Sequence, residues 1–357
     1  MFQMIKIQFI IPILLFLLLL IGCAKSPVNE ESKDPPGYLD IPGVYLGTFH
    51  GTSSSSLALF EKIGKDVAIS AAYLNFSSAF NNGFLNSNAY VGRISFLTWE
   101  FTPGSNTKVA EYEGRVLEAI IDGVYDDHLI EWAEGMRKFG KPVFLRFGHE
   151  MNGDWYPWSG VKNGGGTMDG YGSPDLADGP ERYVDAFRHV HDVFMENGAD
   201  NVLWVWCPNA PFEDMENALG DWNNPAAYYP GDDYVDWLGF DGYNWGSSVY
   251  GQQFDAQWRT FDEIFAESYA VLQAINNEKP IIIGEFSSTE DGGDKAAWIE
   301  DAFNKIRDVY PQIRGLIWFH IAKETDWRIN SSDEALAAFR EAVKDDYWLS
   351  EYPGMVP

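Results

Sequence analysis

Eight short apolar runs recur along this chain, with amphipathic, helix-like stretches between most of them. The runs fall at 43–50, 65–70, 93–100, 142–149, 201–207, 235–241, 280–285 and 314–320. The helical stretches fall at 54–62, 125–139, 181–196, 257–275, 295–309 and 333–344. Runs such as Pro280-Ile-Ile-Ile-Gly-Glu285 are apolar at successive positions, as expected of strands covered on both faces. Strand-then-helix units in this number predict an α/β fold, and within it a single (β/α)8 barrel over residues 41–357. A doubly wound open sheet fits the same alternation, but no glycine-rich phosphate loop follows the first run.

The N-terminus stands apart. Phe9 to Ile21 is nearly all apolar, with Pro12 inside and Lys6 ahead of it. This stretch is short for a membrane span and has the build of a signal peptide. Leu20-Ile-Gly-Cys23 then has the small-residue-then-Cys pattern of a bacterial lipoprotein cleavage site. The expectation is a signal peptide over 1–22, lipidation of Cys23, and a polar, proline-rich tether over 23–40. The domain would then sit outside the cytoplasm, held to the membrane only by lipid. Cys207 sits on a buried strand and reads as a small core residue, so no disulfide framework is expected.

Charge narrows the partners. The chain carries 53 acidic and 25 basic residues, a net charge of −28, with no long run of one sign. Without a basic patch, nucleic acid is excluded as a partner. Long-range repulsion also disfavours polyanionic glycans, whereas a neutral polysaccharide escapes it. Aromatic residues make up 16% of the chain, including 14 Trp, more than barrel packing requires. A monomer without cofactor is expected.

The stretch Arg146-Phe-Gly-His-Glu-Met-Asn-Gly-Asp-Trp-Tyr-Pro-Trp158 carries the chemistry. It places Glu150 at a strand end among Trp155, Tyr156 and Trp158. Apolar rings raise a carboxyl's pKa, which suits proton donation to a sugar oxygen, and the same rings stack on pyranose faces. A second carboxylate should face it, and Glu285 ends another apolar strand. Side chains alternate along strands. One face of each strand takes Arg146, Gly148 and Glu150; Gly239, Asp241 and Tyr243; Ile281, Ile283 and Glu285; Leu316, Trp318 and His320. With these faces inward, Glu150, Glu285, Tyr243 and Trp318 meet at one mouth. Two opposed carboxyls about 5–5.5 Å apart would cleave a glycosidic bond with retention. The loop 160–180, rich in glycine, should cover the same face.

Other chemistries fit less well. His149-Glu-Met-Asn-Gly153 lacks the second histidine of the zinc motif, and His189 and His191 point to different sides of a helix. No metal site is therefore expected. A glycan-binding lipoprotein without activity would use the same aromatics but would not need both carboxylates. Trp99 and Glu100 end the third strand and are placed to line the site; His50 and His320 end the first and eighth.

The Arg146–Trp158 stretch resembles the acid/base signature of glycoside hydrolase family 26. Gly239-Phe-Asp-Gly-Tyr-Asn-Trp245 and Ile283-Gly-Glu-Phe286 resemble that family's motifs on strands six and seven, in order and spacing. The resemblance covers roughly 42–345. It implies a retaining (β/α)8 glycosidase with Glu150 as acid/base and Glu285 as nucleophile. It also implies that Tyr243 hydrogen-bonds the nucleophile, Trp318 floors the −1 subsite, His149 orients the site, and Trp155 stacks on the leaving-group side. The family is mostly endo-β-1,4-mannanases, with β-1,3-1,4-glucanases and β-1,3-xylanases. Mannan, glucomannan or galactomannan is the first expected substrate, and mixed-linkage β-glucan the alternative.

Overall fold

Eight parallel strands close on themselves. In chain order the elements are β1 (Val44–Phe49), α1 (Ser56–Ile63), β2 (Ile69–Asn75), α2 (Gly83–Tyr90), β3 (Ile94–Glu100), α3 (Val116–Ile121), α4 (Asp126–Phe139), β4 (Val143–Phe147), α5 (Asp178–Glu196), β5 (Val202–Trp206), α6 (Phe212–Leu219), β6 (Trp237–Asn244), α7 (Phe261–Ile275), β7 (Ile281–Ser288), α8 (Lys295–Asp308), β8 (Ile313–Phe319), α9 (Asp333–Ala342) and β9 (Trp348–Leu349). Each of β2 to β7 pairs with the next, and β1 pairs with both β8 and β2, which completes a (β/α)8 barrel. The two-residue β9 adds to the N-terminal end of β1. This computed structural model describes residues 38–51, 56–101, 112 and 114–355. The apolar N-terminal run, Cys23 and the tether up to residue 37 lie outside the described residues. Among the described helices, none is long and apolar enough to cross a membrane.

Two apolar layers follow from strands buried on both sides. Leu46, Leu97, Leu145, Trp204, Leu238, Ile281, Ile283, Leu316 and Trp318 face the helices. Tyr45, Ile69, Phe96, Phe144, Val205, Trp237, Ile282 and Ile317 fill the barrel. Tyr352, near the C-terminus, packs on Tyr45 at 4.8 Å and on Phe144 at 5.6 Å, so its ring joins the barrel filling. The filling turns polar towards the C-terminal mouth: the Arg146 guanidinium lies 5.4 Å from the Phe96 ring centroid.

One irregularity decides what that mouth contains. On β7, Ile281 and Ile283 face the helices and Ile282 faces inward. Regular alternation would send Glu285 outward too. The register instead slips: Phe240 pairs with Ile283, but the next residue, Asp241, pairs with Glu285. Gly284 is the extra residue of a bulge, and Glu285 turns into the barrel. Only glycine fits there, because a Cβ would meet Asp241 Oδ1 at 2.6 Å and Arg146 Nη1 at 2.8 Å.

Candidate active site

Local backbone strain aims the first carboxyl. After β4 the chain turns through Gly148 (φ 57°) and Glu150 (φ 52°), and Glu150 N–H donates to Cys207 O at 2.8 Å. A non-glycine residue in this left-handed region costs of order 1–3 kcal/mol and persists only where its surroundings enforce it. The turn leaves Glu150 buried, with Trp155 Nε1 donating to its Oε2 at 2.7 Å. Burial raises the Glu150 carboxyl well above the ordinary range, and the charges of Glu285 and Asp241 add to the rise. The Trp155 hydrogen bond and Arg146 oppose it. The result is a carboxylic acid that keeps its proton.

Glu285 has different neighbours. Arg146 Nη2 donates to Oε1 at 2.6 Å, and the Tyr243 hydroxyl donates to Oε2. His149 Nε2 stands 3.8 Å from Oε1. Burial, and then the charge of Glu285, raise the Tyr243 phenol well above its usual value, so it stays a donor. Burial, and then Arg146, hold His149 well below the usual imidazole value, so it stays neutral. Its Nε2 also meets the Tyr156 hydroxyl at 3.1 Å. Arg146 is fully buried and ties the site together: it donates to Asp241 through Nη1, to Glu285 through Nη2, and to Thr98 Oγ1 at 2.8 and 3.1 Å. Cys207 Sγ donates to the other Asp241 oxygen at 3.2 Å.

His149, Asp241 and Glu285 offer ligand atoms within 4.8 Å of one another, a spacing that could hold a metal ion. Arg146 already donates to both carboxylates there. A divalent cation would have to displace that guanidinium or sit against its charge, so the donor set fits an organic cation better than a metal.

Glu150, Glu285, His149 and Tyr243 converge as the sequence predicts. Trp155 is 44% exposed beside Glu150, open for a ligand ring to stack on. Trp158 is buried, donates to His149 O at 2.6 Å and stacks on Tyr156 at 4.2 Å. The expectation for Trp318 is overturned. It is 0% exposed on the helix side of β8, packed on Phe286, on Phe339 of α9 and under Lys295 of α8. The inward residues of β8 are Ile317 and Phe319, and the Phe319 ring lies 5.6 Å from Tyr243. The indoles beside Tyr243 are instead Trp327, from the loop after β8, at 4.9 Å and Trp245 at 5.8 Å. Trp99 is core, while Glu100 ends β3 part-buried, its carboxyl raised by burial and by the charge of Glu285. His50 bonds Thr48 Oγ1, and His320 Nδ1 accepts from Ile329 N–H. The 160–180 loop is clipped to α5, through Asp178, Glu181 and Arg182.

Arg146 and Asp241 were legible as inward-facing but carried no assigned role. Their signal was an ionisable residue inside an apolar strand, which must find a partner. Tyr73 on β2, with its hydroxyl 3.5 Å from Arg146 Nη2, gave no such signal.

The sequence model of glycosyl hydrolase family 26 matches residues 71–274. The chain belongs to that family. The matched segment holds Glu150 and stops short of Glu285, whose place in the site rests on the geometry above. The chain is 39% identical over 306 residues to Endoglucanase H of Acetivibrio thermocellus, which covers 84% of this chain and 30% of that protein. It is 27% identical over 209 residues to a mannan endo-1,4-beta-mannosidase of Bacillus subtilis, covering 56% and 44% of the two. The chain thus spans less than half the length of these curated relatives. The solved catalytic domain of an endo-beta-1,4-mannanase from Bacillus sp. JAMB-750 superposes with a TM-score of 0.63 at 19% identity, over 89% of this chain and 91% of that one. That likeness speaks for the fold.

Proposed function

We propose that this family 26 chain is a retaining endo-β-glycanase for neutral polysaccharide, with Glu285 as nucleophile and Glu150 as acid/base. The observation that carries the reading is the contrast between the two carboxyls. Glu150 is held protonated by burial and by its negative neighbours, whereas Glu285 accepts from a cation and a phenol. Glu285 attacks the anomeric carbon while Glu150 gives its proton to the departing glycosidic oxygen. The glycosyl ester that forms has no negative charge at Glu285. One of the causes raising Glu150 is then gone, so its carboxyl becomes easier to ionise. It can then take a proton from the water that attacks the ester. Tyr243 and Arg146 hold the nucleophile in place, and Trp155 offers a ring on the leaving-group side.

The similarity at 39% identity to an endoglucanase puts β-glucan first among substrates. Mannan is the second reading, supported by the mannosidase relative. The test is hydrolysis of β-glucan, mannan, xylan and cellulose, with product sizing and the anomer of the first product read by NMR. Cleavage with retention is expected; no cleavage of any of them, or inversion, overturns the reading. Glu285→Ala should abolish polymer turnover and recover some cleavage with azide. Glu150→Ala should lose about 10²–10⁴-fold on polymer and much less on substrates with good leaving groups, which need no proton.

We also propose that the chain is lipid-anchored outside the cytoplasm through Cys23, on the strength of the apolar run and Leu20-Ile-Gly-Cys23. Cys23→Ser should abolish labelling by a palmitate analogue, and persistent labelling refutes the anchor.

A further inference from the structure

Past Tyr243, the loop joining β6 to α7 carries a second group of rings. Trp245 lies 5.8 Å from Tyr243 and 4.8 Å from Trp327, so it touches the wall of the candidate active site. Tyr250 stacks on Trp245 at 5.4 Å and 27°, and Phe254 meets Trp245 edge-on at 5.3 Å. The outer members are open to water: Tyr250 is 43% exposed and Phe254 52%, and Val249 beside them is exposed too. Trp245 covers one face of Tyr250, so the exposed area belongs to its other face and edges. Contiguous apolar exposure of this kind marks a site of interaction.

The loop's composition says what would interact. Residues 245–258 read Trp-Gly-Ser-Ser-Val-Tyr-Gly-Gln-Gln-Phe-Asp-Ala-Gln-Trp, with three glutamines, two serines and one charge, Asp255. Aromatic faces stack on the C–H faces of pyranose rings, and amides and hydroxyls exchange hydrogen bonds with sugar hydroxyls. An anionic partner finds no cation in the loop to pair with. The loop is also held in shape before any ligand arrives. Ser247 N–H donates to Asp291 O, Gln252 Nε2 to Ser247 O, Gly251 N–H to Ser248 Oγ, and Ala256 N–H to Gly251 O. A preformed platform avoids the cost of ordering on binding.

We infer that the loop 245–258 is a secondary glycan-binding subsite, in which Tyr250 and Phe254, backed by Trp245, stack on pyranose units beyond those held at the two carboxylates. This inference rests on the proposed glycanase reading and extends it along the same polymer. Long chains gain affinity from the subsite and short ones cannot reach it.

The test separates the two claims. Binding of β-linked oligosaccharides to the inactive Glu285→Gln chain is measured by calorimetry for a disaccharide and a hexasaccharide. The hexasaccharide should bind more tightly. Adding Tyr250→Ala and Phe254→Ala should remove most of that advantage, about 2- to 12-fold per ring, from the usual worth of an aromatic contact. Tyr250→Leu, which keeps apolar bulk without a flat face, should lose its share as well, and it serves if the double variant does not fold. An unchanged ratio of long to short affinity overturns the subsite. No binding at any length sinks the glycanase reading instead. Concentration-dependent dimerisation that the same substitutions abolish would assign the patch to a second copy of the chain, and overturns the inference too.

Discussion

Arg146→Met removes the one group that joins both inward carboxylates and leaves a side chain of similar length. The wild-type guanidinium donates to Asp241, to Glu285 at 2.6 Å and to Thr98, and no part of it reaches solvent. In the variant, Asp241 and Glu285 share a buried region with no cation between them. Removing one partner of a buried ion pair typically costs about 3–5 kcal/mol, because the remaining charge is uncompensated. The sign with pH follows. Burial already raises the Asp241 carboxyl well above its usual value, and Arg146 is the first influence holding it down. Without Arg146 it rises further, and the folded state binds more protons than the unfolded one. Stability is then fully present below the unfolded carboxyl value, about 4, and is lost as pH rises through the raised folded value. The slope is up to about 1.4 kcal/mol per pH unit for each group involved. The gap between variant and wild type should therefore be small near pH 4 and should widen towards pH 8. Urea unfolding at several pH values reads it, and kcat on polymer should fall as well, because the nucleophile loses the guanidinium that holds its Oε1 in place. A gap under about 1 kcal/mol that does not change with pH refutes the bridge, since simple loss of packing has no such slope.

Glu150→Gln should raise the melting temperature at pH 8–9 and leave it unchanged near pH 4. The Glu150 carboxyl is raised by burial, so wild-type stability is lost as pH climbs through that raised value, and an amide has nothing to ionise; coincident melting curves at every pH refute this. Trp155→Phe keeps a ring but removes the N–H that favours ionised Glu150. The alkaline limb of kcat/KM should move to higher pH, and a limb that stays in place would mean that another group sets it. Trp318→Ala should lose about 3–5 kcal/mol of stability as a large buried ring, readable by denaturant unfolding. A loss confined to KM with stability intact would return Trp318 to the substrate cleft.

The barrel could be read from sequence because its strands are apolar on successive residues and glycine or proline ends most of them. The same property hid the orientation of β7 and β8. In Ile281-Ile-Ile283 every position is buried, so no polar alternation tells inside from outside. The inward turn of Glu285 depends on a slip at Gly284 that leaves no mark in hydropathy. Without a slip of its own between Leu316 and Trp318, β8 sends Trp318 outward, opposite to the expected parity. Trp327 was missed because it comes from a loop, where spacing carries no direction. Three helices were also missed. In α2 the buried positions include Asn88, Asn82 gives no side-chain cap, and the asparagines have poor helix propensity. The six residues of α3 are too few to show a period, and only Phe212 is buried on α6. The β4 motif could be read because ionisable and aromatic residues crowd a strand end, where packing alone would not put them.

The slip in β7 frees chemistry from packing. In an unbroken strand, whichever residues build the core also fix which later side chains point into the cavity, and a change of parity anywhere would swing the reactive group to the wrong side. Here the count restarts at Gly284. Ile281 to Ile283 can be exchanged for other apolar residues under pressure from the helices outside, and the carboxyl of the residue after the glycine keeps its aim. A regular register, with Gly284 itself opposite Asp241, would instead send Glu285 to the helix side of the strand as a buried charge. The offset at Gly284 thus sets which side of the barrel wall carries the carboxyl, whatever apolar residues precede it.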